Sequence, residues 1–235
     1  MWYTASGAPV IPVRIFEGSL MEKTRSNCSD SFISRIAAGF LKILGWQIMG
    51  VFPDYTKYVL VGAPHTSNWD FPVAMLWMIA CGKRFNWIGK DSLFTSPLGP
   101  IYRRLGGVPV RRDSSYNFVD QIVDEFNRSE RLIIAITPEG TRSKTPYWKS
   151  GFYFMALGAQ VPIVLGFIDF GNKQIGIGPT IQPSGNIQED FIHLREFYGT
   201  IKGLYPDKQG AIILRPETDE AETPLEPGIE PVQPK

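Results

Sequence analysis

Four short stretches of this chain hold residues whose types and spacing could do chemistry. The first is VGAPHTSNWDF, Val61 to Phe71, which contains His65, one of only two histidines in the chain, and Asp70. Five positions on a regular helix turn through roughly 140°, so the two side chains diverge unless the chain turns between them. They meet if His65 lies just outside a helix and Asp70 in its first turn. Thr66, Ser67 and Asn68 are residue types that cap helices and bond locally at such a turn. A His–Asp pair at a strand-to-helix junction orients an imidazole as a general base. The same spacing also fits a structural histidine near a helix cap, and the pair alone does not choose between the two. The second stretch is PEGTRS, Pro138 to Ser143, at the end of an apolar run. Ligand sites in open α/β sheets gather at strand carboxyl ends. There Gly140 permits close backbone approach, and Thr141 and Ser143 offer hydroxyls. Arg142 offers a planar fork for a phosphate or carboxylate. A surface turn with a local Glu139–Arg142 ion pair is the plainer alternative. The third stretch is GGVPVRR, Gly106 to Arg112. It ends a segment whose cations are Lys83, Arg84, Lys90, Arg103, Arg104, Arg111 and Arg112, against Asp91 alone. That asymmetry suggests an anionic ligand such as a phosphate head group, a phosphopantetheine carrier or acidic lipid. For Arg103 and Arg104 a solvated basic face is the simpler reading. The fourth stretch is the apolar VPIVLGF from Val161.

The elements that must position these residues alternate between strand and helix. KYVLVG from Lys57, RFNWIGK, VPVRR, RLIIAIT and VPIVLGFI read as strands. Between them lie helical patterns over Trp69–Gly82, Ser96–Gly107, Ser114–Glu130 and Ser150–Gln160. NKQIGIGPTIQ suggests a late hairpin or edge pair, and NIQEDFIHLREFYGTIKGLY a last helix. This order predicts an α/β fold, with a mainly parallel (mixed) central sheet flanked by helices. Ser31 to Phe52 reads as one N-terminal amphipathic helical segment. Its apolar run falls just short of the roughly 20 residues that span a bilayer, and Arg35, Lys42, Gly39 and Gly45 interrupt it. It is therefore expected to lie on a membrane surface or to cover the core, with a spanning helix as the remaining alternative. The chain divides into an N-terminal segment over 1–52, a main domain over 53–215 and a tail over 216–235. The tail holds five prolines and six acids in 20 residues and is expected to be disordered.

A chain of 235 residues suits one α/β domain with an appendage. Two cysteines make no disulfide framework. No cationic start followed by an apolar run and a cleavage site is present, so no signal peptide is expected. A net charge of +1 says nothing about partners, and no nucleic-acid-binding motif accompanies the basic segment.

Taken together and in order, the four stretches resemble the glycerolipid acyltransferases of the lysophosphatidic acid acyltransferase type. That family carries a His-four-residues-Asp box, a Gly-x-(Ile/Val)-x-x-x-Arg box, a Glu-Gly-Thr-Arg-Ser box and an apolar Val-Pro-Ile box. The matches here are His65 and Asp70; Gly106 and Arg112; Glu139, Gly140, Thr141, Arg142 and Ser143; and Val161, Pro162 and Ile163. Together they cover about residues 57 to 170. Lys149 and Gly151 match a Lys-x-Gly that often follows the third box. Pro64, Pro109 and Leu165 stand where the family usually has Asn, an aromatic residue and a second proline, which weakens any transfer of acceptor specificity. The resemblance implies direct acyl transfer from a thioester to a lysophospholipid hydroxyl, first of all that of 1-acyl-glycerol-3-phosphate. His65 would be the base and Asp70 its partner. Gly106, Arg112 and residues 139–143 would bind the acceptor, and Val161, Pro162 and Ile163 would line an acyl pocket. It implies no metal and no bound cofactor, with acyl-CoA or an acyl carrier protein thioester as co-substrate. The expected partners are membrane lipid and a lysophospholipid at the cytoplasmic face of a membrane, with no nucleic acid. An ornithine lysolipid or glycolipid acceptor, or a non-catalytic lipid-binding protein of the same fold, stay as alternatives.

Overall fold

The computed structural model describes residues 31–104, 106–111 and 118–215. Arg112 and the tail over 216–235 therefore lie outside the described residues. Along the chain run α1 (Phe32–Ile43), β1 (Gln47–Met49), β2 (Lys57–Ala63), α2 (Asp70–Ala80) and β3 (Trp87–Lys90). Two short helices follow, α3 (Asp91–Phe94) and α4 (Gly99–Arg104). Then come β4 (Gly107–Val110), α5 (Phe118–Arg128), β5 (Leu132–Ile136), α6 (Gly151–Gly158), β6 (Ile163–Asp169), β7 (Gln174–Ile181) and α7 (Ile187–Tyr198). The main sheet has the order β1-β7-β6-β2-β5, and β3 and β4 form a parallel pair. All pairs in the main sheet are parallel except β6 with β7, which form the late hairpin. The mainly parallel sheet flanked by helices is thus present.

The central strands are apolar almost without a break because helices cover both faces. β2 shows how one strand serves both layers. Val59, Val61 and Ala63 enter a core with Ile122, Phe126, Phe152, Leu194 and Tyr198 of α5, α6 and α7. Tyr58 and Leu60 enter the other, with Ala37, Leu41, Val73 and Trp77 of α1 and α2. Alternate residues of a strand face opposite sides, so this division follows directly from the period of two.

The N-terminal segment departs from the single helix expected over 31–52. The α1 helix ends at Ile43, Gly45 turns at φ +82°, and Trp46 N–H returns to Leu41 O at 2.8 Å. A left-handed glycine is a common helix stop. Gln47–Met49 then pair in parallel with Gln174–Gly176, so the central sheet begins ahead of residue 53. The helix itself is packed by its small side. Ser34, Ala37 and Leu41 are buried, and Ser34 Oγ donates to Ile79 O of α2. Phe32, Ile33, Ile36, Phe40 and Ile43 face outward. Among the described residues no helix is long and apolar enough to cross a membrane.

Candidate active site

The site is built at the carboxyl edge of the sheet, where β2 ends at Ala63 beside Phe167 of β6. Past that edge Pro64, His65 and the following turn lead into α2. Asp70 is the first residue of α2, where the helix N-terminus favours a negative charge. Its Oδ2 lies 2.8 Å from His65 Nδ1 and also accepts the backbone N–H groups of Thr66 and Ser67, each at 3.0 Å. A carboxylate oxygen holding two amide donors can only accept from the ring, so Nδ1 carries a proton and, in the neutral tautomer, Nε2 is the nitrogen that keeps its lone pair. The His65 side chain is 23% exposed and that of Asp70 6%, which leaves the ring open to a substrate and its partner shielded.

The turn residues act differently from the capping roles their types suggest. Asp70 itself satisfies the amides. Ser67 Oγ accepts from Trp69 N at 3.0 Å, and Thr66 Oγ1 accepts from Tyr205 N at 3.2 Å. Asn68 Oδ1 accepts a hydrogen bond from Arg142 Nη1. That bond joins the first stretch to the third and brings a guanidinium beside the His–Asp turn.

The PEGTRS turn follows β5, the neighbour of β2. Gly140 adopts φ +65°, and a Cβ there would meet Lys149 Nζ at 3.0 Å, so the Lys149 side chain lies across the turn. Thr141, Arg142 and Ser143 are exposed, and Thr141 Oγ1 accepts from Ser143 N at 3.2 Å. Glu139 is turned the other way. Its Oε2 accepts His65 N–H at 2.8 Å, so Glu139 and Arg142 do not form the local ion pair that the sequence allowed. Burial pushes the Glu139 carboxyl up to about 7, against the lowering effect of the His65 amide and ring. Burial also raises the hydroxyl of Tyr198, which lies 2.8 Å from Val61 O and 3.0 Å from Gly166 O beneath the site.

Other expected site residues lie elsewhere. Gly106 turns at φ +83° where α4 returns into β4, and a Cβ there would strike Phe85 O at 2.7 Å. It lies at the amino end of β4, the far end of the strand from Val110 and Arg111. Arg111, at the carboxyl end, has its backbone bracketed by the Gln121 amide. Val161, Pro162 and Ile163 lie at the amino end of β6, where Ile163 pairs with Val59 and Pro162 O accepts Val59 N–H. They are buried core residues at the edge of the sheet opposite His65. The second histidine, His193, is half-buried on α7, 3.6 Å from Glu196. Sequence reasoning missed the pairing of Asn68 with Arg142 and the support from Tyr198 and Tyr205. None of these carries a local spacing signal.

What is assembled is a partly exposed imidazole held at Nδ1 by a carboxylate, with a guanidinium bonded to the same turn, a set suited to deprotonating a hydroxyl on an anionic molecule. No curated protein matches the chain. Among solved structures it is similar to the 1-acyl-sn-glycerophosphate (LPA) acyltransferase PlsC from Thermotoga maritima. The two are 18% identical over 71% of this chain and 73% of that one, with a TM-score of 0.45. A family model described as Acyltransferase matches residues 47–165, from the first strand of the sheet through the His–Asp turn and the PEGTRS turn into β6. The chain therefore belongs to the acyltransferase family.

Proposed function

We propose that this acyltransferase moves a fatty acyl group from an acyl thioester to the free hydroxyl of a lysophospholipid, with 1-acyl-glycerol-3-phosphate the first acceptor to test. The observation that carries the reading is the 2.8 Å contact of His65 Nδ1 with Asp70 beside an exposed arginine. The acceptor oxygen attacks the thioester carbonyl as its proton passes to His65 Nε2. The carbon–sulfur bond then breaks, and the imidazolium returns the proton to the leaving thiolate. Asp70 steadies the imidazolium while it exists. A general base contributes about 10²–10⁴-fold by itself, so holding both substrates in place must supply the remainder. Arg142, steered by Asn68, suits the acceptor phosphate, and the Lys149 ammonium lies close enough to share that task. Radiolabelled acyl-CoA offered with a panel of lysophospholipids, ornithine lysolipid and glycolipid tests the reading. A labelled phosphatidate is the expected product. Label on a different lipid would move the acceptor, and no labelled lipid with any acceptor would refute the activity.

The site is read as working at a lipid surface. At about 100° per residue, Phe32, Ile36, Phe40 and Ile43 project within about 80° of one another, with Arg35 and Lys42 together on the flank. Gln47 of β1 pairs with Gln174, which pairs with Asp169, two residues past the partner of Ala63. The carboxyl end of α1 thus lies at the same edge of the sheet as His65. Trp69 and Phe71, on either side of Asp70, are both about two-thirds exposed. An apolar rim with flanking cations at the edge that carries the base suits a peripheral protein drawing lipid substrates from a bilayer.

A further inference from the structure

Glu139 lies in the most acceptor-like stretch of the sequence, yet its carboxylate faces away from the side on which an acceptor would arrive. Thr141, Arg142 and Ser143 are exposed, whereas Glu139 is 6% exposed. With Ala63, Pro64, Trp148, Tyr198 and Gln209 it lines a small, partly open cavity under the site. Its Oε2 accepts His65 N–H at 2.8 Å. Pro64 has no N–H, so His65 supplies the first backbone donor beyond the end of β2, at a point where the ladder has stopped and a buried donor still needs a partner. The catalytic residue is therefore held twice, by Asp70 at Nδ1 and by Glu139 at the backbone. Asp70 fixes how the ring turns. Glu139 fixes where the residue that carries it sits.

We propose that Glu139 is a positioning residue that locks the main chain of His65 against the end of β5, and not a ligand of the acyl acceptor. The proposal rests on the reading of His65 as the base. It also follows that the two carboxylates divide the work: Asp70 responds to the charge that forms on the ring, while Glu139 sets the distance from Nε2 to the incoming hydroxyl. A misplacement of about 1 Å at such a contact can cost on the order of 10²-fold in rate. The groups facing Glu139 are His65 from the turn after β2, Asp70 from the start of α2 and the Tyr198 hydroxyl from α7. Among them its carboxyl titrates near 7, within reach of an activity profile. Protonation weakens the charge-assisted bond to the His65 amide.

The test compares Glu139→Gln and Glu139→Ala with the full-length wild type, with kcat and acceptor KM followed across pH and thermal unfolding as the control for folding. The glutamine keeps an oxygen for the His65 amide but does not titrate. It is expected to keep kcat within about tenfold at alkaline pH and to show a one-proton acid limb where the wild type loses activity more steeply. The alanine is expected to lose about 10²-fold in kcat with acceptor KM changed less than about threefold. A rise of tenfold or more in acceptor KM with kcat kept, in either variant, would overturn the proposal and make Glu139 an acceptor ligand. A glutamine variant that folds but is as slow as the alanine would overturn it too, because the charge and not the backbone bond would then matter. An active His65→Ala protein would instead remove the reading on which the proposal stands, so the two failures are distinguishable.

Discussion

At the scale of single residues, one oxygen of Asp70 serves both the His65 ring and two backbone amides. Asp70→Ala leaves the buried amides of Thr66 and Ser67 without a partner, at a cost of about 1–3 kcal/mol each, and also frees the ring. The expected result is a clear fall in the midpoint of thermal unfolding, together with a loss of about 10²–10⁴-fold in kcat for the protein that stays folded. His65→Ala removes a partly exposed ring and should change the unfolding midpoint far less, so calorimetry on the two variants separates their roles. Asn68 accepts a hydrogen bond from Arg142. Asn68→Ala is expected to raise the KM of a phosphate-bearing acceptor several-fold with kcat little changed, read by steady-state kinetics at fixed acyl-CoA. Equal rises in KM for phosphate-bearing and phosphate-free acceptors would contradict that role. The His65–Asp70 pair was legible in the sequence because its geometry is local, with five positions and one turn between them. The bonds from Glu139 to His65 and from Arg142 to Asn68 each span 74 positions, and no period or cap signals them.

At the scale of elements, α1 is the part whose packing calls for a partner. Ser34, Ala37 and Leu41 are buried against the body of the protein, while Phe32, Ile33, Ile36, Phe40 and Ile43 face solvent. Burying a side chain of that size is worth roughly 1.5–3 kcal/mol, so four of them could anchor the helix to a bilayer surface. Replacing Ile36 and Phe40 together by Glu is expected to lower binding to phosphatidylglycerol-containing vesicles by at least about 10²-fold, measured by cosedimentation. Activity on a short-chain water-soluble acceptor should be kept. Vesicle binding equal to that of the wild type would remove α1 from the interface. The sequence showed the apolar run but not its division. Gly45 looked like an interruption in one helix, and it is the residue that ends α1 and lets Gln47–Met49 become an edge strand. What decides this is the open edge of β7, a partner that lies more than a hundred residues further along the chain. The apolar box at Val161–Ile163 is ambiguous in the sequence for a related reason. Its composition suits an acyl pocket as well as a buried strand start, and only the register with Val59 assigns it to the strand start.

At the scale of the whole molecule, the alternation of strands and helices carried the fold class. The antiparallel turn-back of β7 placed β1 at the far edge of the sheet. The edge that carries His65 rests on a buried acid, Glu139. The ordinary value for Glu139 is 4.5 and its folded value about 7, so the folded protein binds this proton more tightly than the unfolded chain. The stability tied to it is fully present below 4.5 and is lost as pH rises through about 7, a difference of about 3 kcal/mol. Glu139→Gln is therefore expected to melt several degrees above the wild type at pH 8 and to lose that advantage near pH 4.5, as scanning calorimetry at the two pH values would show. An advantage independent of pH would mean that the carboxylate is not dehydrated.

The most direct measurement is acyl transfer from radiolabelled acyl-CoA to lysophosphatidate by wild-type and His65→Ala proteins with matched unfolding midpoints. With His65 as the base held by Asp70, the wild type forms labelled phosphatidate and the variant loses at least about 10²–10⁴-fold in kcat. Transfer by the variant at a rate close to that of the wild type would contradict the mechanism.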